Sequence, residues 1–274
     1  MKMEYSISMS VYEHDMPEYF SLAMKSIVEQ SVAPNEIVLV IDGPIPSETE
    51  NIISEFEKEL EILKICRLAK NMGHGFARNY GIQNASHRLV ALMDSDDIAV
   101  PDRFAKQLET FWKNPTIAVL GGQIEEFNDD DNHVVGRRIV PENHDEIINY
   151  MKFRCPFNQM TVMLDKEKVQ LAGGYIDWFW NEDYYLWIRM FLKGYLFKNL
   201  DQTLVKVRVS ENLYKRRGGW GYFVSESKLQ NFMYENQIIS LPIMAGNIFI
   251  RLIVQLLMPN KLREWVFKKM FRSN

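Results

Sequence analysis

"LVALMDSDDIAVPDRF" runs from Leu89 to Phe104. An apolar run, Leu89–Met93, stops at three acids, Asp94, Asp96 and Asp97. A short continuous apolar run suits a strand covered on both faces. In open parallel sheets, ligands bind beyond the carboxyl ends of the strands. Asp94 and Asp96 are two apart, so on an extended chain they point the same way. Like charges so placed are costly unless a cation or a proton intervenes. No His or Cys sits beside them, which indicates a hard, oxygen-preferring ion such as magnesium or manganese. A helix cap explains the acids less well. Pro101 belongs at a first helical position, which makes Val100 the cap and leaves the acids too early. A solvated turn is the other plain alternative. An EF-hand is excluded, because Ile98 falls where a ligand belongs and the loop glycine is missing.

Outward from this stretch, strand and helix signals alternate. Tyr5–Tyr12 reads as a strand. "DMPEYFSLAMKSIVEQ" puts Phe20, Met24, Ile27 and Val28 on one helical face, with Asp15 and Glu18 spaced as a capping box. "EIVLVIDG" (Glu36–Gly43) is a second strand. "SETENIISEFEKEL" opens on another capping-box spacing, Ser47 and Glu50. "ILKICRLA" and "HRLVALMD" are further strands, separated by a loop and helix, "GHGFARNYGIQNA". Such alternation predicts a parallel sheet built from crossover units. After Asn114 the pattern loosens. "IAVLGGQIEEF" and "HVVGRRIV" read as strands around "NDDDN", a solvated hairpin tip. "NQMTVMLD" reads as a strand and "WNEDYYLWIRMFLKG" as a helix. "LFKNLDQTLVKVRVS" returns to strand, followed by a basic, glycine-bearing loop, "NLYKRRGGWGYFV".

The chain has 274 residues, is about half apolar and carries a net charge of −4. No dominant basic field exists to neutralise phosphates, which argues against nucleic acid as the main partner. Cys66 and Cys155 are far apart and in no metal-type spacing. That fits a reducing compartment. Glu4 and His14 interrupt the apolar core that an export signal needs.

Several motifs in order resemble family 2 glycosyltransferases with the A-type nucleotide-sugar fold. "SISMSVYEHDMPEYFSLAMKSIVEQSVAPNEIVLVIDG" resembles the opening strand, helix and second strand. "NMGHGFARNYGIQNA" resembles N-x-G-x-x-x-A-R-N-x-G, and "MDSDD" resembles D-x-D-D. "NEDYYLWIRM" resembles E-D-Y-x-L-W, and "YKRRGG" the late basic loop. The resemblance covers roughly Tyr5 to Phe232. It implies an α/β A-type glycosyltransferase fold: a mostly parallel central sheet flanked by helices, with a C-terminal amphipathic helical tail. Residues 1–237 would form the catalytic domain, divided into a nucleotide-binding half (1–114) and an acceptor-binding half (115–237), and 238–274 the tail.

The subgroup most resembled builds bacterial O-antigen and capsule repeat units. Its members add galactose or glucose from a UDP-sugar to N-acetylglucosamine on a diphospho-polyprenol. The resemblance therefore implies a UDP-hexose donor, with galactose and a β-1,3 linkage favoured. It implies a polyprenyl-diphosphate-linked acceptor and a divalent cation, Mn2+ in preference to Mg2+. It also implies a peripheral position on the cytoplasmic side of the inner membrane. Residue by residue, Ser10, Val11, Tyr12, Glu13 and Asp42 would cradle uracil and ribose. Relatives often carry two aspartates near Asp42, and here Ile41 takes one place. Asn71, Arg78 and Ser95 would contact the nucleotide. Asp94 would meet the ribose or the ion, Asp96 would ligate the ion, and Asp97 would orient the sugar.

Inverting transfer needs the acceptor hydroxyl deprotonated as it attacks the anomeric carbon. Glu182 and Asp183 are the candidates. The resemblance favours Asp183 as base, with Glu182 binding the acceptor or holding the loop. Adjacent helical residues point about 100° apart, so the two cannot face the acceptor equally. Their plainer role is favourable charge at a helix N-terminus. Arg216 and Arg217, beside Gly218 and Gly219, suit a diphosphate leaving group. Trp178, Phe179 and Trp180 could stack on sugars, whereas Trp187 belongs to the core face of its helix.

"IISLPIMAGNIFIRLIVQLLM" (Ile238–Met258) is nearly long enough to span a bilayer. Asn247, Arg251 and Gln255 recur every four residues as a polar stripe. That predicts a helix lying on a surface, either an anionic membrane face or the catalytic domain. The end, "KLREWVFKKMFRSN", adds Lys261, Arg263, Lys268, Lys269 and Arg272 among Trp265, Phe267 and Phe271. Two readings from other classes stay open at this level. One is a metal-dependent phosphatase or nucleotidyl transferase on a similar sheet; the other is a non-catalytic sugar-binding module.

Overall fold

The computed structural model describes residues 3–178, 180–209, 218–259 and Leu262. Strands β1 (Tyr5–Val11), β2 (Glu36–Asp42), β3 (Leu63–Leu68) and β4 (Leu89–Met93) pair in parallel. Helices α1 (Pro17–Val28), α2 (Ser47–Glu59) and α3 (His74–Asn84) make the crossovers. The remaining strands are β5 (Ile98–Ala99), β6 (Ile117–Phe127), β7 (Val134–Arg138), β8 (Met163–Asp165) and β9 (Leu196–Arg208). They extend one continuous sheet in the order β3-β2-β1-β4-β8-β6-β9-β5, with β7 beside β6. β8 is antiparallel to β4 and β6, whereas β9 runs parallel to β6. The sheet is thus parallel in its first half and mixed in its second.

Each face of the sheet has its own core, as strand alternation requires. Ile37, Leu39 and Ile41 pack with Phe20, Met24 and Phe104 from α1 and α4 (Arg103–Lys113). Val38, Val40, Val90 and Leu92 pack on the other face with Ile147 and Trp187. Those two residues belong to α5 (His144–Met151) and α7 (Glu182–Leu192). Trp187, Tyr184 and Ile188 are buried, as the helical spacing predicts. The C-terminal part adds α6 (Lys166–Leu171), α8 (Trp220–Glu235) and α9 (Leu241–Arg251), which runs on as a π-helical segment, Leu252–Leu257.

The short link between β4 and β5 favours a curled sheet. β4 and β5 stand four places apart in the sheet order, and only residues 94–97 join them. The steps from Met93 to Ile98 reach at most about 18 Å. Four strand spacings in a flat sheet need about 19 Å. The acidic stretch therefore lies across the mouth of a sheet rolled back on itself.

Local details differ from the sequence expectations where a stronger partner competes. Asp15 does not cap α1: Met16 is the N-cap, and Asp15 instead accepts the Tyr12 N–H and the Ser95 hydroxyl. Ser47 and Glu50 make no capping box either, since Pro46 is the N-cap and Glu50 pairs with Arg67 at 2.5 Å. Pro101 lies in a turn before α4, which starts at Arg103; its carbonyl accepts the Ser31 N–H. "NQMTVMLD" narrows to the short strand β8. Gln159–Thr161 form a 3-10 turn, held because Asn158 and Thr161 bond the Gly122 backbone.

Candidate active site

The carboxyl ends of β1, β2 and β4 open on one mouth. A cavity of about 410 Å³ there is lined by Ser10, Val11, Tyr12, Asp15, Asp42, Asn71, Gly73, His74 and Trp180. Five of the expected nucleotide contacts, Ser10, Val11, Tyr12, Asp42 and Asn71, are thus brought together. Glu13 is not among them; it is exposed beside His14.

Asp42 has a structural task in this cavity. Its carboxylate accepts the N–H groups of Met72 at 2.7 Å and Gly73 at 3.1 Å. That pins the loop bearing Asn71 over the end of β2. Gly43 makes the close approach possible. It sits at φ +91°, and a Cβ there would lie 2.5 Å from the Asn71 nitrogen. A side chain is excluded by both backbone angle and space.

Arg78, on α3, links two motifs nearly ninety residues apart. Its guanidinium donates to Asp94 at 2.9 Å and to Glu182 at 3.4 Å. Gly75, one turn earlier, lets α3 approach α7: a Cβ there would be 3.3 Å from the Glu182 side chain. Burial disfavours the charged form of Asp94. The Arg78 charge and hydrogen bond outweigh that and hold the carboxyl below its ordinary range. Burial likewise opposes the Arg78 charge, and Asp94 and Glu182 more than compensate, raising its pKa. Glu182 is raised, by burial first and then by Asp183.

The three strand-end acids part company. Asp94 faces Arg78. Asp97 is buried, turned toward β9, and accepts the Arg208 N–H at 2.9 Å. Burial and the charges of Asp96 and Asp94 push its carboxyl well up. None of the three acids is among the residues lining the cavity, nor are Arg78, Glu182 and Asp183. Asp96 is exposed on the turn, yet the protein around it partly desolvates its carboxylate, and that, then Asp94 and Asp15, pushes it up to about 6. Ser95 is buried and spends its hydroxyl on Asp15 at 2.7 Å.

These residues fit a divalent ion in one form only. Among the described residues, no three His, Cys, Asp or Glu side chains converge as a complete metal site. Asp96 and Asp94 supply carboxylate oxygens whose mutual repulsion is only partly balanced. A hard cation commonly takes one or two carboxylates and completes its shell with substrate phosphates and water.

Asp183 points away from Glu182, as adjacent helical positions must. One carboxylate oxygen accepts its own helix's Tyr184 N–H at 2.7 Å, and the other accepts the Cys155 thiol at 3.5 Å. Burial, then Asp183, pushes that thiol well up, so it stays a donor. Trp178 packs at a tilt on Tyr185, 4.2 Å between ring centres, and donates to the Ser225 carbonyl. Trp180 lines the cavity at φ +59°, a backbone conformation rare for a bulky residue. Such strain gathers at functional sites. Arg216, Arg217 and Phe179 lie outside the described residues.

Sequence reasoning missed several participants. Asp15 was read only as a cap, and His74 not at all. Cys155 carries no motif. Arg103 is fully buried behind the acidic stretch, donating to the Leu92 carbonyl at 2.8 Å. Burial lowers it to about 9, while Tyr5, Asp94 and Asp97 support its charge. Its signal was its place directly after "VPD", where a buried cation could answer the acids.

Comparisons with known proteins agree with this geometry. The family model described as glycosyl transferase family 2 matches residues 6–170. That described as glycosyl transferase family group 2 matches residues 89–267. A UDP-Gal:alpha-D-GlcNAc-diphosphoundecaprenol beta-1,3-galactosyltransferase of Escherichia coli is 36% identical, covering 98% of this chain and 97% of its own. Among solved structures, S. aureus TarS 1-349 in complex with UDP-GlcNAc superposes with a TM-score of 0.68 at 17% identity, over 96% of this chain and 79% of that one. A mannosyltransferase from Pyrobaculum calidifontis, in complex with GDP-Man and Mn2+, superposes with a TM-score of 0.62 at 12% identity. It covers 91% of this chain and 70% of its own.

Proposed function

The chain belongs to glycosyl transferase family 2, and on that premise we propose that it moves galactose from UDP-galactose, with inversion, to N-acetylglucosamine on a diphospho-polyprenol. The reaction would form a β-1,3 linkage during assembly of a polysaccharide repeat unit such as O-antigen. The observation that carries this reading is the Arg78 bridge. It ties Asp94, at the end of β4, to Glu182 on the helix that also bears Asp183. A nucleotide diphosphate site and a general base then meet at one edge.

In this reading Ser10–Tyr12, Asn71 and the Asp42-pinned loop hold the nucleoside. Trp180 and His74 complete the lining of that cavity. A divalent cation held by Asp96, with Asp94 beside it, would neutralise the departing diphosphate. Arg216 and Arg217 are proposed to assist there. Asp183 takes the acceptor hydroxyl proton, oriented by its Tyr184 and Cys155 hydrogen bonds. Glu182 is less suited to that task, because it faces Arg78. The preference for galactose rests on the relative similar over nearly the full chain.

Assays with UDP-galactose and UDP-glucose, each with Mn2+, Mg2+ or chelator, test donor and ion together. The expected result is cation-dependent transfer from UDP-galactose. Transfer from UDP-glucose alone would overturn the donor assignment, and full activity in chelator would overturn the cation.

A further inference from the structure

α9 and the π-helical segment after it are amphipathic in reverse. Their polar side chains are the buried ones. Asn247 donates to the Lys152 carbonyl at 2.9 Å and to Gln230 at 2.7 Å. Arg251 pairs with Glu226 of α8 and donates to the Phe153 carbonyl. Gln255 is buried, and its backbone carbonyl accepts the Gly219 N–H. The predicted polar stripe is therefore consumed against the catalytic domain. What faces outward is apolar: Phe249 is 62% exposed, Ile250 58%, Ile253 37% and Leu257 68%. Trp220, beside the Gly219 that bonds Gln255, is 68% exposed. Scattered exposed apolar residues are ordinary, but a whole helix face of them marks an interaction surface.

We propose that this face seats the enzyme on an anionic lipid bilayer. Three observations favour lipid over a protein partner. First, the chain that follows is cationic and aromatic. Lys261, Arg263, Lys268, Lys269 and Arg272 are offset by one acid, Glu264, and interleaved with Trp265, Phe267 and Phe271, in a protein whose net charge is −4. Lys261 follows Leu257 by four residues in the sequence. An apolar face with cations and aromatics beside it is the chemistry of an interfacial helix on anionic headgroups. A second copy would instead bring two such cationic segments together. Second, no helix among the described residues is long and apolar enough to cross a membrane, so contact would be at the surface. Third, the face sits one helix from the candidate base. Ser225, beside Glu226 on α8, accepts from Asn181, which adjoins Glu182. Docking here would hold the acceptor side of the site against the bilayer. This deepens the proposed function and rests on it only for that last point.

The test is flotation of the full chain with vesicles of phosphatidylethanolamine and phosphatidylglycerol, against vesicles of phosphatidylcholine alone. Wild type and a Phe249→Asp/Ile253→Asp variant are compared, with oligomeric state measured alongside. Both substituted positions are exposed, so folding should be spared. The expected result is anionic-selective binding, weakened roughly tenfold or more in the variant, because burial of two large apolar side chains is lost. Equal flotation of the variant would overturn the proposal. So would a wild-type dimer that the variant turns into a monomer, because a second copy would then be the occupant. Transfer to a water-soluble, short-chain acceptor reads the catalytic assignment separately. Its loss in wild type, with flotation intact, would overturn the proposed function and leave the docking face standing.

Discussion

Arg78 holds Asp94 at 2.9 Å, and the same guanidinium reaches Glu182 at 3.4 Å. One half-buried cation therefore answers two acids from different halves of the chain. Removing one partner of this half-buried pair leaves a poorly compensated charge, which costs about 1–3 kcal/mol. Arg78→Ala should unfold several degrees earlier and lose nearly all transfer. Arg78→Lys, a point charge that cannot fork to both acids, should keep more stability than activity. Thermal melts beside kcat separate these, and a fully active Arg78→Lys would contradict the bridging role.

Asp96 and Asp97 adjoin in sequence but should fail differently. Asp96→Asn relieves repulsion from Asp94 and Asp15, so the protein should melt no earlier than wild type. Its turnover should fall on the order of a hundredfold or more, the scale of losing a ligand to a charge-stabilising ion. Asp97→Ala strips the Arg208 N–H of its acceptor and should cost about 1–3 kcal/mol of stability. Calorimetry and initial rates on both variants check the contrast.

Asp15 gives a pH signature opposite to that of an ordinary salt-bridged carboxylate. Burial raises its pKa from 3.8 to about 6, against hydrogen bonds from Ser95 and Tyr12. The native state then binds this proton more tightly than the unfolded chain does. Its contribution to stability therefore falls as pH rises from about 4 to about 6, and stays low above that. The full shift corresponds to about 3 kcal/mol, reduced by residual solvent screening to about 1–2 kcal/mol. Asp15→Asn should be more stable than wild type at pH 7 by that amount without donor or cation, and should bind the donor less well. Denaturant titrations at pH 4 and pH 7 test the sign.

Cys155 orients the candidate base. Cys155→Ala removes a hydrogen bond to Asp183 worth about 1 kcal/mol, a roughly fivefold loss in kcat. KM for the donor should be unchanged, and Cys155→Ser should restore most of the rate. An equal loss in the Ser variant would indicate packing rather than hydrogen bonding.

The strands, the order of crossovers and the strand-end acids were legible because they rest on local pattern. Leu89–Met93 is apolar over the whole strand, and Tyr184, Trp187 and Ile188 follow helical spacing. The partners of the charges were not legible. Nothing local tells that Glu50 prefers Arg67 to a capping role, or that Asp15 turns to Ser95. Those choices follow from which elements end up side by side: Arg67 lies 17 residues from Glu50, on β3, and Ser95 lies 80 residues from Asp15, past the end of β4, the strand beside β1. The tail shows the same limit. The polar stripe of Asn247, Arg251 and Gln255 was visible, but which side it faces depends on Glu226, Gln230 and the Lys152 carbonyl.

The most direct measurement pairs UDP release with product formation. UDP-galactose and a synthetic N-acetylglucosaminyl diphospholipid are incubated with wild type and with Asp183→Asn, and UDP, free phosphate and disaccharide-lipid are quantified. The account predicts one β-linked disaccharide-lipid per UDP for wild type, and loss of both in a folded Asp183→Asn. UDP or phosphate released without a sugar-extended lipid, or undiminished transfer by Asp183→Asn, would contradict it.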